Sequence, residues 1–171
     1  MNVLFHTTTA VSIAVLLTDT KRIEQSTTSK EIFLTSFLAF TVGIISHGAL
    51  DYIPHCYPIH SKLDAIFGLI MILTTTWLAH KKYRLIMLFS FLGCIFPDIL
   101  DLSPSIINKQ LGLELPIFDK IFPWHFHKYS GSIYTNDCNY STLNHFLLLF
   151  TIGIVFWCRR LDFKTIFERN R

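Results

Sequence analysis

Five apolar runs, at residues 3–18, 32–50, 65–79, 85–100 and 143–157, constrain this chain more than any other feature. Each is at or just under the roughly 17 to 25 residues that a helix needs to cross the hydrocarbon core of a bilayer. Length alone leaves two architectures open, a membrane bundle or a soluble bundle of buried helices. Charge placement favours the first. The joins after runs one, three and five carry Lys21, Arg22 and Lys30, then Lys81, Lys82 and Arg84, then Arg159, Arg160, Lys164, Arg169 and Arg171. These are eleven of the fifteen Lys and Arg residues, on alternate joins. The positive-inside rule produces that pattern in a five-pass protein with its N-terminus outside and its C-terminus in the cytoplasm.

Composition agrees. The chain is 51% hydrophobic with a mean hydropathy of +0.43, too apolar for an ordinary soluble domain, and its 171 residues suit one helical unit over 1–171. A net charge of +3 with no long basic run gives no footprint for nucleic acid. The first run has no basic residue ahead of it, and Lys21 and Arg22 follow it. It is therefore expected to stay as a helix and not to be cleaved as a signal peptide.

Two outer loops follow from this topology. The first, 52–63, contains Pro54 and Pro58 and cannot be helical throughout. The second, 102–142, is long enough to have a function of its own, and Trp124 and Tyr129 suit the membrane interface. It reads either as a lid or re-entrant piece on the outer surface or as a plain exposed loop. Cys56 and Cys138 fall one in each outer loop, where an oxidising compartment would let them pair. Cys94 and Cys158 lie in apolar runs and suit packing.

Seven of the eight histidines map to the outer half under a topology derived from Lys and Arg alone; His80 is the exception. His47 and Asp51 are four apart, so one helical face presents both, and His55 follows the turn at Pro54. Two imidazoles and a carboxylate within nine residues form a donor set suited to Zn or Mn. An Asp–His hydrogen-bonded pair at a helix end fits the same residues. Asp98 and Asp101 are three apart at the outer end of the fourth run, beside a helix-opening Pro97. Two carboxylates there repel unless protonated or shared by a cation. His125 and His127 alternate in WHFHK, and an extended stretch would put both on one side. His6 and His145 also lie at outer helix ends, where a lone histidine is as compatible with an interfacial or core position as with a ligand. Donors at helix ends, and not at mid-depth, favour a site opening at the surface over a transport pathway.

The order of an early His, HxxxD, PDxxD and a late His motif resembles the YdjM-like (DUF457) family of bacterial inner-membrane proteins, described as metal-dependent hydrolases. The matching positions are His6, His47 with Asp51, Asp98 with Asp101, and His127. The late motif departs from the family's HRGxTHS-like form, reading HFHKYSGS with Lys128 in place of the Arg. The resemblance implies a metal-dependent hydrolase in the bacterial inner membrane. Its divalent metal, Zn ahead of Mn, would be drawn from His6, His47, Asp51, His55, Asp98, His125 and His127. Asp101 would be a supporting carboxylate or general base, and Lys128 a group that steadies negative charge. An outer-face site beside an aromatic loop suits an amphiphilic phosphoester or lipid-linked substrate. The alternative is a non-catalytic membrane protein whose Asp/His cluster is a structural metal site or a hydrogen-bond network.

Overall fold

The computed structural model describes residues 1–26, 29–57, 59–117, 119–133 and 138–168; Pro58, Arg169 and Arg171 lie outside them. Among the described residues the fold is all-helical, with a single isolated bridge, His55 to Ser132, as its only strand-like pairing. The helices are α1 (Val3–Leu17), α2 (Thr20–Gln25), α3 (Lys30–Tyr52), α4 (Ser61–Leu78), α5 (Arg84–Asp101), α6 (Ser103–Leu111), α7 (Asn139–Cys158) and α8 (Arg160–Phe167).

Three helices, α3, α4 and α7, are long and apolar enough to cross a membrane. There are four if α5 and α6, bent by 63° at their junction, form one broken span. The five-run pattern and the fold part company at α1. Its 15 residues reach only about 22 Å at 1.5 Å per residue, short of a hydrocarbon core of about 30 Å. It is instead the central helix, packed against α3, α4, α5 and α7 and buried on nearly every side from His6 to Val15.

Burial is inverted relative to a soluble protein. Phe33, Phe37, Ile45, Leu73, Phe146, Phe150 and Trp157 lie exposed on the flanks, while Thr7, Ser36, His47 and Ser90 are fully buried. An apolar exterior around a polar interior is the distribution expected where lipid is the solvent.

The long outer loop is more structured than its composition suggests. Pro104, in the first turn of α6, is tolerated where an N–H would lack a partner, and Gly112 ends the helix in the left-handed conformation at φ 65°. Beyond it, Asn108 holds Leu115 through two hydrogen bonds, and a 3-10 turn runs over Pro123–His125.

The antiparallel helices bring like with like at the two ends. At one end the start of α1 meets α4, where Asp64 accepts from the Val3 and Leu4 amides, and meets α7, where Phe5 stacks on His145. Cys56 and Cys138 are joined in a disulfide there, tying the turn after α3 to the N-terminus of α7. At the other end Asp162 of α8 accepts from Thr20, Arg159 donates to the Thr18 carbonyl, and Tyr83 donates to Glu24. The described Lys and Arg residues of the three joins lie around this second end.

The closest packing is between α3 and α5. A methyl on Gly93 would sit 2.2 Å from the Phe40 carbonyl oxygen, and one on Gly43 would meet the α5 backbone at 2.9 Å. Small residues at such a crossing let two backbones approach where no aqueous hydrophobic effect drives association. One turn beyond Gly43 on the same face stands His47.

Candidate metal centre

The α3–α5 seam determines what His47 can reach. Its Nδ1 lies 2.6 Å from the Cys94 carbonyl oxygen of α5. That carbonyl neighbours Gly93, whose own helical partner is missing because Pro97 has no N–H. A carbonyl only accepts, so His47 Nδ1 carries the proton and Nε2 is directed into the space between the helix ends.

Four side chains converge in that space: His47 and Asp51 from α3, Asp98 from α5, and His125 from the 3-10 turn, with all donor atoms within 4.8 Å of one another. His47 Nε2 is 3.1 Å from Asp51 Oδ2, 3.5 Å from Asp98 Oδ1 and 3.3 Å from His125 Nε2. His125 Nε2 is 3.5 Å from Asp51 Oδ2 and 3.2 Å from Asp98 Oδ1. A tetrahedron of donors 2.0–2.1 Å from a central ion has edges of about 3.3–3.4 Å. All five separations bracket that edge, so the residues present fit a small divalent cation.

His125 is oriented as firmly as His47. Its Nδ1 donates to Asp101 Oδ2 at 2.8 Å, leaving Nε2 to face the centre. Asp101 is itself fixed, since its two oxygens accept from the Ile121 and Phe122 amides at 2.9 Å each. The two Nε2 atoms are 3.3 Å apart, and the facing carboxylates demand positive charge between them, as protons that each ring donates to a carboxylate or as a shared cation. The His125 ring shows the same demand. Burial works against its protonation, yet hydrogen bonds that it donates to Asp51, Asp98 and Asp101 outweigh it and hold its pKa up at about 10.

The loop carrying His125 is held by packing. Trp124 lies on Gly48, where a methyl would approach its ring to 2.6 Å, and stacks on Phe122 at 5.1 Å between centroids. The Gly131 amide donates to the Asp51 carbonyl, which docks the following strand on the end of α3. Lys120 Nζ donates to the His125 carbonyl. Only Asp98, with 27% of its side chain exposed, opens the cluster to its surroundings.

The remaining expected residues fall into three groups. His6 is close without belonging to the four: its Nε2 is 3.1 Å from Asp51 Oδ1, and its ring stacks on His47. The α-amino group of Met1 pairs with the same Asp51 oxygen. Asp101 orients His125 and is 1% exposed with its lone pairs engaged, so it is a supporting carboxylate and not a free base. His55, His127 and Lys128 lie outside the cluster. His55 is buried and ties the loops together: its Nδ1 donates to the Ile53 carbonyl, and its Nε2 lies near the Tyr57 hydroxyl and Ser132 Oγ. After Pro54 the His55 ring stays by the end of α3, bonded to the Ile53 carbonyl, without joining the four donors. His127 is exposed, because the 3-10 turn and the turn that follows break the two-residue alternation that would pair it with His125. The Lys128 ammonium sits 5.3 Å over the Tyr129 ring. The sequence reading missed Gly48 and Trp124. The only signal for either was adjacency, Gly48 after His47 and Trp124 before His125.

Comparison with protein-family models, with curated proteins and with solved structures finds no match for this chain.

Proposed function

We propose that His47, Asp51, Asp98 and His125 hold one divalent ion, Zn ahead of Mn, and that the protein is a membrane-bound metal-dependent hydrolase. The observation that carries this reading is the set of five tetrahedral-edge separations among donors oriented by Asp101 and the Cys94 carbonyl. Carboxylate–histidine pairs of the Asp101–His125 kind typically fix the tautomer and raise the basicity of a metal ligand. A divalent ion in this place would supply Lewis acidity and a hydroxide nucleophile near neutral pH. The chain's own residues do the rest. Asp51 and His47 hold the buried flank, Asp101 prevents His125 from rotating, and the partly exposed Asp98 is the carboxylate placed to take a proton on the open side. The resemblance to the YdjM-like family agrees with this chemistry.

The substrate we propose is an amphiphilic phosphoester or lipid-linked molecule at the outer face of a bacterial inner membrane, crossed by up to four segments. Three features support that placement. The disulfide suits an oxidising compartment, the basic residues gather at the opposite end, and Ile106, Leu111, Leu113, Ile117 and Ile121 present an apolar strip beside Asp101.

One observation favours a structural ion instead: four donors all come from the protein, as in closed zinc sites. Metal analysis of detergent-purified wild type and the His47→Ala/Asp51→Ala double variant, with a phosphoester screen, tests both readings. Stoichiometric metal lost in the variant together with turnover supports the hydrolase. Metal without turnover leaves the structural ion, and no metal after reconstitution with Zn and Mn rejects both.

A further inference from the structure

We infer that Asp51 is a bridging carboxylate and that a second divalent cation binds between its Oδ1 and His6, on the far side from the four-residue centre. The inference rests on the metal-centre reading above and makes the site dinuclear.

The two oxygens of Asp51 serve different rings. Oδ2 faces His47 and His125, while Oδ1 faces His6 Nε2 at 3.1 Å. His6 is 1% exposed, and its ring lies 4.1 Å from that of His47 with only 14° between planes. Two nearly parallel imidazoles that offer Nε2 to opposite oxygens of one carboxylate place their ions about one ring spacing apart. Two-metal sites that hydrolyse phosphoesters separate their ions by about 3.5–4 Å.

A second observation points to a ligand at the same place. Asn2 caps the start of α1, its carbonyl accepting from the His6 amide, and is 1% exposed, yet neither its Oδ1 nor its Nδ2 has a hydrogen-bond partner. His6 Nδ1 is also unpartnered. Buried polar atoms are nearly always satisfied, so three orphans within one turn need an explanation. An amide oxygen, an imidazole and a carboxylate oxygen form a set suited to Mn or Zn. The Met1 ammonium pairs with Asp51 Oδ1, so it has to move off this oxygen when the ion binds. A dinuclear arrangement would suit a phosphoester substrate, whose attacking and leaving oxygens two ions stabilise together.

The test is Mn content of the reconstituted, detergent-purified full chain, read with electron paramagnetic resonance for spin coupling between ions. Two ions per chain with a coupled signal are expected for wild type. One uncoupled ion is expected for His6→Ala, and weakened binding of one ion for Asn2→Ala. His6→Gln, which keeps the volume, is read in place of His6→Ala if the latter does not fold. One ion in wild type, unchanged by the His6 variants, overturns the second site and leaves the first standing. Two ions that persist in the His6 variants place the second ion elsewhere and also overturn it. No ion in wild type is the failure of the metal-centre reading itself, and the inference falls with it.

Discussion

The two ends of this bundle hold ionisable residues in opposite ways. At the disulfide-bonded end, four donor groups and His6 are buried or nearly so and face one another across distances too short for their lone pairs alone. At the basic end, charges pair singly and in solvent's reach. Arg22 meets Glu31 with 69% of its side chain exposed, and Arg159 meets Asp162 within one turn. Buried, converging donors mark a place that could hold a cation. Exposed, separate pairs mark only which side of a membrane the end occupies. Asp51→Ala should have the largest effect of any single change, because it removes the one carboxylate shared by His6, His47 and His125. Breaking a buried charge network by deleting one partner costs about 3–5 kcal/mol. The thermal midpoint in detergent should fall accordingly, and added Zn or Mn should not restore it. A variant that melts like wild type would mean the buried end is no tighter than the basic one.

Reduction of the disulfide tests the same contrast without touching the donors. Cys56 and Cys138 are 82 residues apart, and removing a crosslink over a loop of that length typically costs about 2–5 kcal/mol. Cys56→Ser/Cys138→Ser should loosen the docking of α7 on the turn after α3, seen as faster hydrogen exchange at that end and unchanged exchange around α2 and α8. Uniform loss at both ends would show that the bundle melts as one unit and that the division is only one of charge. Gly48→Ala comes next. The added methyl displaces Trp124 and with it the His125 loop, so metal affinity should drop about 10- to 100-fold, the range found when groups supporting a ligand are disturbed. Isothermal titration with Zn checks this, with circular dichroism to establish that helix content is kept.

The helices were legible because they rest on composition: long apolar runs survive any detail of packing. His47, Asp51 and Asp98 were legible from helical spacing, since i, i+4 geometry is local. Three things were not legible, each for a physical reason. Whether α1 crosses the bilayer or serves as a core depends on how many neighbours surround it, and a 15-residue apolar run is compatible with both. The choice between His125 and His127 depends on a 3-10 turn that Pro123 starts, and WHFHK reads as alternation without it. The role of Asp101 depends on the Ile121 and Phe122 amides, twenty residues on, reaching back to its oxygens.

Acid should separate loop from cluster. Burial, above all, lowers the pKa of His55 to about 4, against 6.5 for an exposed imidazole. Above pH 6.5 the ring is neutral whether folded or unfolded, and its contribution is fully present. Between 6.5 and 4 the unfolded chain takes up a proton that the folded chain refuses, so stability falls as pH falls, by about 1–2 kcal/mol at pH 5. His55→Asn should flatten that part of the melting-temperature profile. If wild type and variant keep the same slope, the loss belongs to the Asp/His cluster and not to the loop that His55 holds.

The smallest effect is expected at the other end, and its smallness is informative. Arg22 approaches Glu31 with two nitrogens, at 3.0 and 3.2 Å, which is as good a geometry as a surface pair achieves. Even so, its exposure leaves the attraction screened by water and salt, and exposed pairs contribute about 0.2–1 kcal/mol. Arg22→Ala should therefore shift the melting midpoint by a degree or two at most, less still in high salt, and leave metal content untouched. What the substitution should alter is topology, because on the orientation proposed above it removes one of the charges that would hold this join in the cytoplasm. Cysteine labelling from either side of the membrane, in Arg22→Ala and then in Lys21→Ala/Arg22→Ala/Lys30→Ala, would report that. A large stability loss with unchanged orientation would reverse the assignment of roles, making this end structural and leaving sidedness to be set elsewhere.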